Sequence, residues 1–189
     1  MTTELLHGAQ RTGRRDDAAI RRWRGHRLGQ FIHFGLYSLP AGTWAGETVD
    51  FAAEFLPSTA KVPPQEWARL ADDFRLEGFD AERWADHAVA AGAGYVTITT
   101  KHHEGFRLWP SRLTRFTIAQ TPYGRDLLGE LVAAYDRRGI DVHLYYSVLD
   151  WHHPDWRYRE ESPEDAQAGE RYRAFVLGQL EELAHRYPS

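Results

Sequence analysis

The chain has 189 residues, 42 % of them hydrophobic, which suits one folded domain and not a disordered segment. Its 27 acids against 23 bases give a net charge of −4, which sets a nucleic-acid partner aside. With no cysteine, disulfides, thiolate zinc sites and cysteine nucleophiles are excluded, and a reducing compartment fits.

The stretch Met1 to Arg27 is polar and basic. Arg14-Arg15 and Arg21-Arg22 each look like half of a twin-arginine signal, but no apolar core follows either pair. No apolar run reaches the roughly 18 residues of a membrane span. The expectation is a cytoplasmic chain with no membrane and no nucleic-acid partner, its oligomeric state open.

Gln30 to Phe34 is a short apolar run of strand length, the first predicted strand. Helical stretches follow over Pro64 to Phe74 and Asp80 to Ala91. In the second, Trp84, Ala88 and Ala91 are expected to share one face, with Asp80 as N-cap and Gly92 as stop. The second strand is Tyr95 to Thr99; behind it Leu127, Leu128, Leu131, Val132 and Tyr135 form an apolar stripe between Asp126 and Gly139. The third strand is Asp141 to Tyr146, and its stripe is Val176, Leu180, Leu183, Ala184 and Tyr187.

Apolar strands alternating with amphipathic helices predict an α/β fold with a parallel sheet covered by helices. The order permits an open doubly wound sheet or a barrel. No glycine-rich phosphate loop follows the first strand, which weakens the nucleotide-binding version.

In such folds the working residues gather at the C-terminal strand ends. Those ends read Ile32-His33-Phe34-Gly35, Thr100-Lys101-His102-His103-Glu104-Gly105-Phe106 and Tyr145-Tyr146-Ser147, with Asp150-Trp151-His152-His153 just after. Taken singly, each has a plain reading. His33 fits a satisfied core histidine, His102-His103 an idle loop, and His152-His153-Pro154 a solvated one. Tyr145 and Tyr146 face opposite ways, so at least one is packing. Together they mark a single rim. Three histidines could hold zinc, but the close spacings of metal motifs are absent, and adjacent histidines on an extended strand should point apart. No metal and no cofactor are expected.

The sequence resembles the retaining α-L-fucosidases of glycoside hydrolase family 29. The resemblance lies in Phe31-Ile32-His33-Phe34-Gly35-Leu36-Tyr37-Ser38, Thr99-Thr100-Lys101-His102-His103-Glu104-Gly105-Phe106, Gly124-Arg125-Asp126-Leu127, and Leu144-Tyr145-Tyr146-Ser147 with Asp150-Trp151-His152-His153-Pro154. It runs from about Trp23 to the C-terminus, which sets residues 1–22 apart as a basic N-terminal segment and makes 23–189 the N-terminal part of a glycoside hydrolase catalytic barrel.

The resemblance implies the first three βα units of a (β/α)8 TIM-type barrel, incomplete in this chain, acting on a fucosylated glycan or fucoside. It implies that His33, His102 and His103 bind sugar hydroxyls and that Tyr145 lines the pocket. Ala53-Glu54-Phe55 resembles the family's Ala-Glu-Trp, so that Glu54 grips hydroxyls and Phe55 covers the sugar's apolar face. Phe55 stands where Trp is usual, and Glu104 where Asp is usual. The family's nucleophile, an Asp ending the fourth strand, and its acid/base Glu have no counterpart here. Retaining hydrolysis needs two carboxylates about 5–5.5 Å apart, and Glu54 and Asp150 are the nearby candidates. The chain alone is therefore expected to be inactive and poorly stable. The rival readings are a non-catalytic fucose-binding module and a metal-dependent hydrolase on a similar barrel.

Overall fold

The computed structural model describes residues 17–188. Its elements are α1 (Ala18–His26), β1 (Gly29–Ile32), β2 (Thr43–Trp44), β3 (Glu47–Thr48), α2 (Leu56–Thr59), α3 (Pro64–Ala68), α4 (Ala81–Ala91), β4 (Tyr95–Lys101), α5 (Leu127–Asp136), β5 (Asp141–Tyr146) and α6 (Pro163–Arg186). The main sheet has the order β1-β4-β5, and both pairings are parallel. Gly29 pairs with Tyr95, and Tyr95 in turn with Asp141, so all three strands start level and end at one rim.

Why these segments fold as they do follows from their caps and faces. The Asp80 carboxylate accepts from the Arg83 N–H at the start of α4, and Gly92, at φ 76°, ends it in the left-handed conformation that glycine tolerates. Asp126 caps α5 through the Gly129 N–H. Val96 and Ile98 of β4 turn one way and are fully buried with Ala85 and Ala88 of α4 and Leu127, Leu128, Leu131 and Ala134 of α5 in one core. The opposite face of the sheet carries Thr97 and Thr99. On the outer edge of β5, no strand pairs among the described residues.

Several expected details change. The α4 face is Ala81, Ala85 and Ala88; Ala91 is exposed, and Trp84, half-buried, instead meets Phe34 and Phe79 edge-on. The α6 seam is Tyr172, Val176, Gln179, Leu183 and Tyr187, so Leu180 and Ala184 face outward. Pro64 to Phe74 is α3 followed by a 3-10 turn over Arg69–Asp73. The Arg14-Arg15 pair lies outside the described residues. Arg21-Arg22 sits within α1, a helix capped by Asp17, and Arg22 and His26 both reach Asp141 at the start of β5. The position after Arg22 thus falls inside a helix. The hairpin β2–β3 adds to the expected elements; Ala45 and Gly46, both at positive φ, make its two-residue turn. Among the described residues no helix is long and apolar enough to cross a membrane.

Candidate active site

β1 stops at Ile32 and β4 at Lys101, so His33 and the pair His102-His103 occupy the loops at the rim. A register shift between Thr99 and Lys101 bends β4 there. The turn brings the two neighbouring imidazoles onto each other, with ring centroids 4.2 Å apart and planes at 30°. They do not point apart as an extended strand would require.

The other expected residues come to the same place. His33 lies 5.7 Å from His102 and 6.3 Å from Tyr145, centroid to centroid. Tyr145 lies nearly parallel to His102 at 5.8 Å. Phe55 meets His102 and His103 edge-on at 5.8 and 5.3 Å. Glu54 Oε1 is 4.0 Å from His33 Nε2. All six side chains, His33, Glu54, Phe55, His102, His103 and Tyr145, therefore form one cluster. Tyr146 turns the other way, where its hydroxyl donates to Gln179 Oε1 at 2.7 Å, so it is the packing member of the pair.

The electrostatics keep the His102 and His103 imidazoles neutral. Burial, helped by His103, His33 and Lys101, pulls the His102 pKa down to about 3. Burial, then Lys101, lowers that of His103, with Glu54 opposing. A neutral imidazole is at once a donor and an acceptor, as a sugar hydroxyl is. Nδ1 of His103 engages the Ser147 hydroxyl, which leaves its Nε2 for a ligand. Nδ1 of His102 is buried without a hydrogen-bond partner.

Beneath the histidines lies a sealed ionic layer. Lys101, Arg107 and Asp150 are each at most 1 % exposed. Asp150 Oδ2 accepts from Arg107 at 2.5 Å and lies 3.5 Å from Lys101 Nζ, and its Oδ1 accepts from the His152 and His153 N–H groups. Lys101 also donates to the Ser147 and Leu149 carbonyls at 2.8 and 2.7 Å. Burial opposes ionisation of Asp150, but Arg107 and Lys101 outweigh it and hold its pKa below the ordinary carboxylate range. Asp150 is thus engaged inward and does not stand over the pocket. Gly105, at φ 87°, is the residue that lets this happen, since a Cβ there would run into Asp150 Oδ1.

Glu104 has a structural post as well. Its oxygens accept from the Leu36 N–H at 3.1 Å and from Trp67 Nε1 at 2.5 Å, while burial pushes its pKa up to about 8. His152 stacks on Phe116 at 4.2 Å, and His153 lies 4.4 Å from Phe175, so both pack against aromatic rings instead of forming a solvated loop.

Residue-by-residue reading missed four contributors: Ser147 against His103, Trp151 at 5.3 Å from His103, Tyr37 at 5.8 Å from His102, and Phe31 at 4.4 Å from His33. All lie inside the motifs quoted above, but only tertiary contact singles them out.

The α-L-fucosidase family matches residues 9–189. Tissue α-L-fucosidase of Rattus norvegicus is 36 % identical over 186 residues, which cover 91 % of this chain and 38 % of the rat protein. The Homo sapiens protein of that name is 40 % identical over 137 residues, 68 % of this chain and 29 % of its own length. An α-L-fucosidase of Bacteroides thetaiotaomicron, solved as a trapped covalent intermediate in complex with 2-fluoro-fucosyl fluoride, is 54 % identical with a TM-score of 0.93. The superposition covers 94 % of this chain and 41 % of that one. The Lactobacillus casei enzyme AlfC, in complex with α-L-fucose product, is 30 % identical with a TM-score of 0.82, covering 92 % and 60 %. The chain spans well under half the length of the curated relatives named here. Family match, sequence identity and superposed fold agree: this chain belongs to the α-L-fucosidase family.

Proposed function

We propose that the chain supplies the sugar-recognition face of a retaining α-L-fucosidase, with terminal α-L-fucose on a glycan or glycoside as substrate. The observation that carries this reading is the convergence of His33, His102 and Tyr145 from three strand ends, with Glu54 and Phe55 closing over them. In it, the imidazoles exchange hydrogen bonds with the sugar hydroxyls, Glu54 accepts from them, and Phe55 lies against the C–H face and the methyl group of the deoxysugar. Asp150, neutralised by Arg107 and Lys101, keeps a structural post and takes no part in bond cleavage.

We further read β1, β4 and β5 as the first three strands of a (β/α)8 barrel. Their parallel order and common rim, and the exposure of Phe31 and half-exposure of Tyr145 on the side away from the helices, support this. Inward residues of a closed barrel are filled by facing strands.

A chimera tests the function. This chain replaces the matching segment of the Bacteroides thetaiotaomicron enzyme, and hydrolysis of an aryl α-L-fucoside is measured. The expected result is turnover, cut by about two orders of magnitude or more in His102→Ala, the scale on which lost transition-state hydrogen bonds act. A folded chimera that binds L-fucose without cleaving the fucoside would favour the non-catalytic binding module instead.

A further inference from the structure

His33, Glu54 and His102 come from three separate segments, yet one ligand atom of each lies within 4.8 Å of the others. His102 is 4 % exposed, is wedged among the rings of His103, Tyr145 and Phe55, and has a buried Nδ1 with no partner. His33 is more open, its side chain 36 % exposed, and Glu54 sits on a short 3-10 turn, Ala53–Phe55. The trio is one fixed imidazole and two side chains with room to swing.

Two imidazoles and one carboxylate, with an open side left for water, make the donor set of many mononuclear zinc centres. Bond lengths of about 2.0–2.1 Å put tetrahedral ligand atoms about 3.3 Å apart, so His33 and Glu54 need to draw in by about 1 Å. Two nitrogen donors favour the zinc class over magnesium or calcium, which prefer oxygen. The layer beneath holds Lys101 and Arg107 against Asp150 alone, with burial lowering the Lys101 pKa to about 7, so the charge that offsets a bound cation comes from Glu54.

We propose that His33, Glu54 and His102 bind a divalent transition-metal ion of the zinc class, and that this ion and the sugar exclude one another because they claim the same three side chains. The exclusion rests on the reading of the site as a fucose pocket; the metal binding does not.

The test uses metal alone with the 189-residue chain, or with the chimera above where the chain by itself shows no cooperative urea transition. Zn²⁺ is titrated by calorimetry and Co²⁺ by its visible absorption, first without sugar. The expected result is one equivalent bound, with a cobalt spectrum of four or five ligands. His33→Ala, Glu54→Gln and His102→Asn should each weaken binding about tenfold or more, with circular dichroism unchanged. Absence of stoichiometric binding, or binding indifferent to all three variants, overturns the site. In the second arm, L-fucose is added to the metal-loaded chain, and fucose binding to the metal-free chain is measured by NMR. Displacement of cobalt by fucose supports the exclusion. Fucose bound beside an unperturbed cobalt spectrum overturns it. A chain that binds cobalt through the trio but no fucose leaves the metal site standing and sinks the sugar reading.

Discussion

His102 and His103, neighbours in sequence, are stacked face to face at 4.2 Å, with burial depressing the pKa of both. One consequence is a pH dependence with a definite sign. Unfolded, His102 takes up a proton near pH 6.5; folded, it resists until about pH 3. Below pH 6.5 the unfolded chain therefore binds more protons, so this residue's share of the stability, present in full above pH 6.5, is lost as pH falls toward 3. His102→Asn removes that loss. Urea denaturation of both proteins at pH 7.5 and pH 4.5 should show the wild type losing ground to the variant at the lower pH. A constant gap would mean that His102 is not buried neutral.

Ser147→Ala should weaken L-fucose binding about fivefold, the value of one hydrogen bond near 1 kcal/mol. The Ser147 hydroxyl engages Nδ1 of His103 and so selects which nitrogen faces a ligand. Nitrogen-15 shifts of the His103 ring should report a mixture of tautomers in the variant, and Ser147→Thr should restore the single form. An unchanged tautomer with weaker binding would point to some other cause.

Asp150→Asn should cost about 3–5 kcal/mol, because it leaves the buried Arg107 without its counter-charge and removes the partner that holds the proton on Lys101, whose pKa burial already lowers to about 7. Lys101, Arg107 and Asp150 share one sealed layer. Chemical denaturation measures the cost directly, and a loss under about 1 kcal/mol would contradict the buried-network picture.

Phe55→Trp should tighten L-fucose binding. About 30 Å² of added ring face, at about 25 cal/mol per Å², gives about 0.8 kcal/mol, or about fourfold. Phe55 meets His102, His103 and Trp151 edge-on, so a larger ring extends a surface already held on three sides. Calorimetry with L-fucose or a fucose-configured iminocyclitol reads the change; an unaltered constant would place Phe55 outside the contact surface.

What the sequence allowed to be read in advance follows from how local each determinant is. Strands β4 and β5 and the caps Asp80, Gly92 and Asp126 rest on short-range chemistry, and they stand where the pattern put them. His33, His102, His103 and Tyr145 were reachable because parallel strands end at one rim, whereas Glu54 and Phe55, on a 3-10 turn, were reachable only through the family resemblance. Which way Asp150 turns was not reachable. From its position it could have been a candidate carboxylate, and its inward orientation depends on Arg107, Lys101 and the space above Gly105, none of them implied by spacing. The α6 seam failed for a similar reason. Leu180 carries the more apolar side chain, but Gln179 is the one buried, because it bridges Arg107, Tyr146 and Ser111. Hydrophobicity alone does not see a polar residue whose partners satisfy it.

The two carbonyl bonds of Lys101 give the ionic layer a further meaning. By tying Ser147 and Leu149 to the end of β4, the ammonium fixes the loop after β5 against its neighbour without relying on strand pairing, and Asp150 anchors the next turn through two N–H groups. The wall of the pocket formed by the loop after β5 is thereby set in advance of any ligand. A sugar bound as proposed would spend little conformational entropy on ordering that loop, so more of each hydrogen bond would be expressed as affinity. On the proposed reading, an inward-facing charge that stays away from the sugar is what would make its recognition inexpensive.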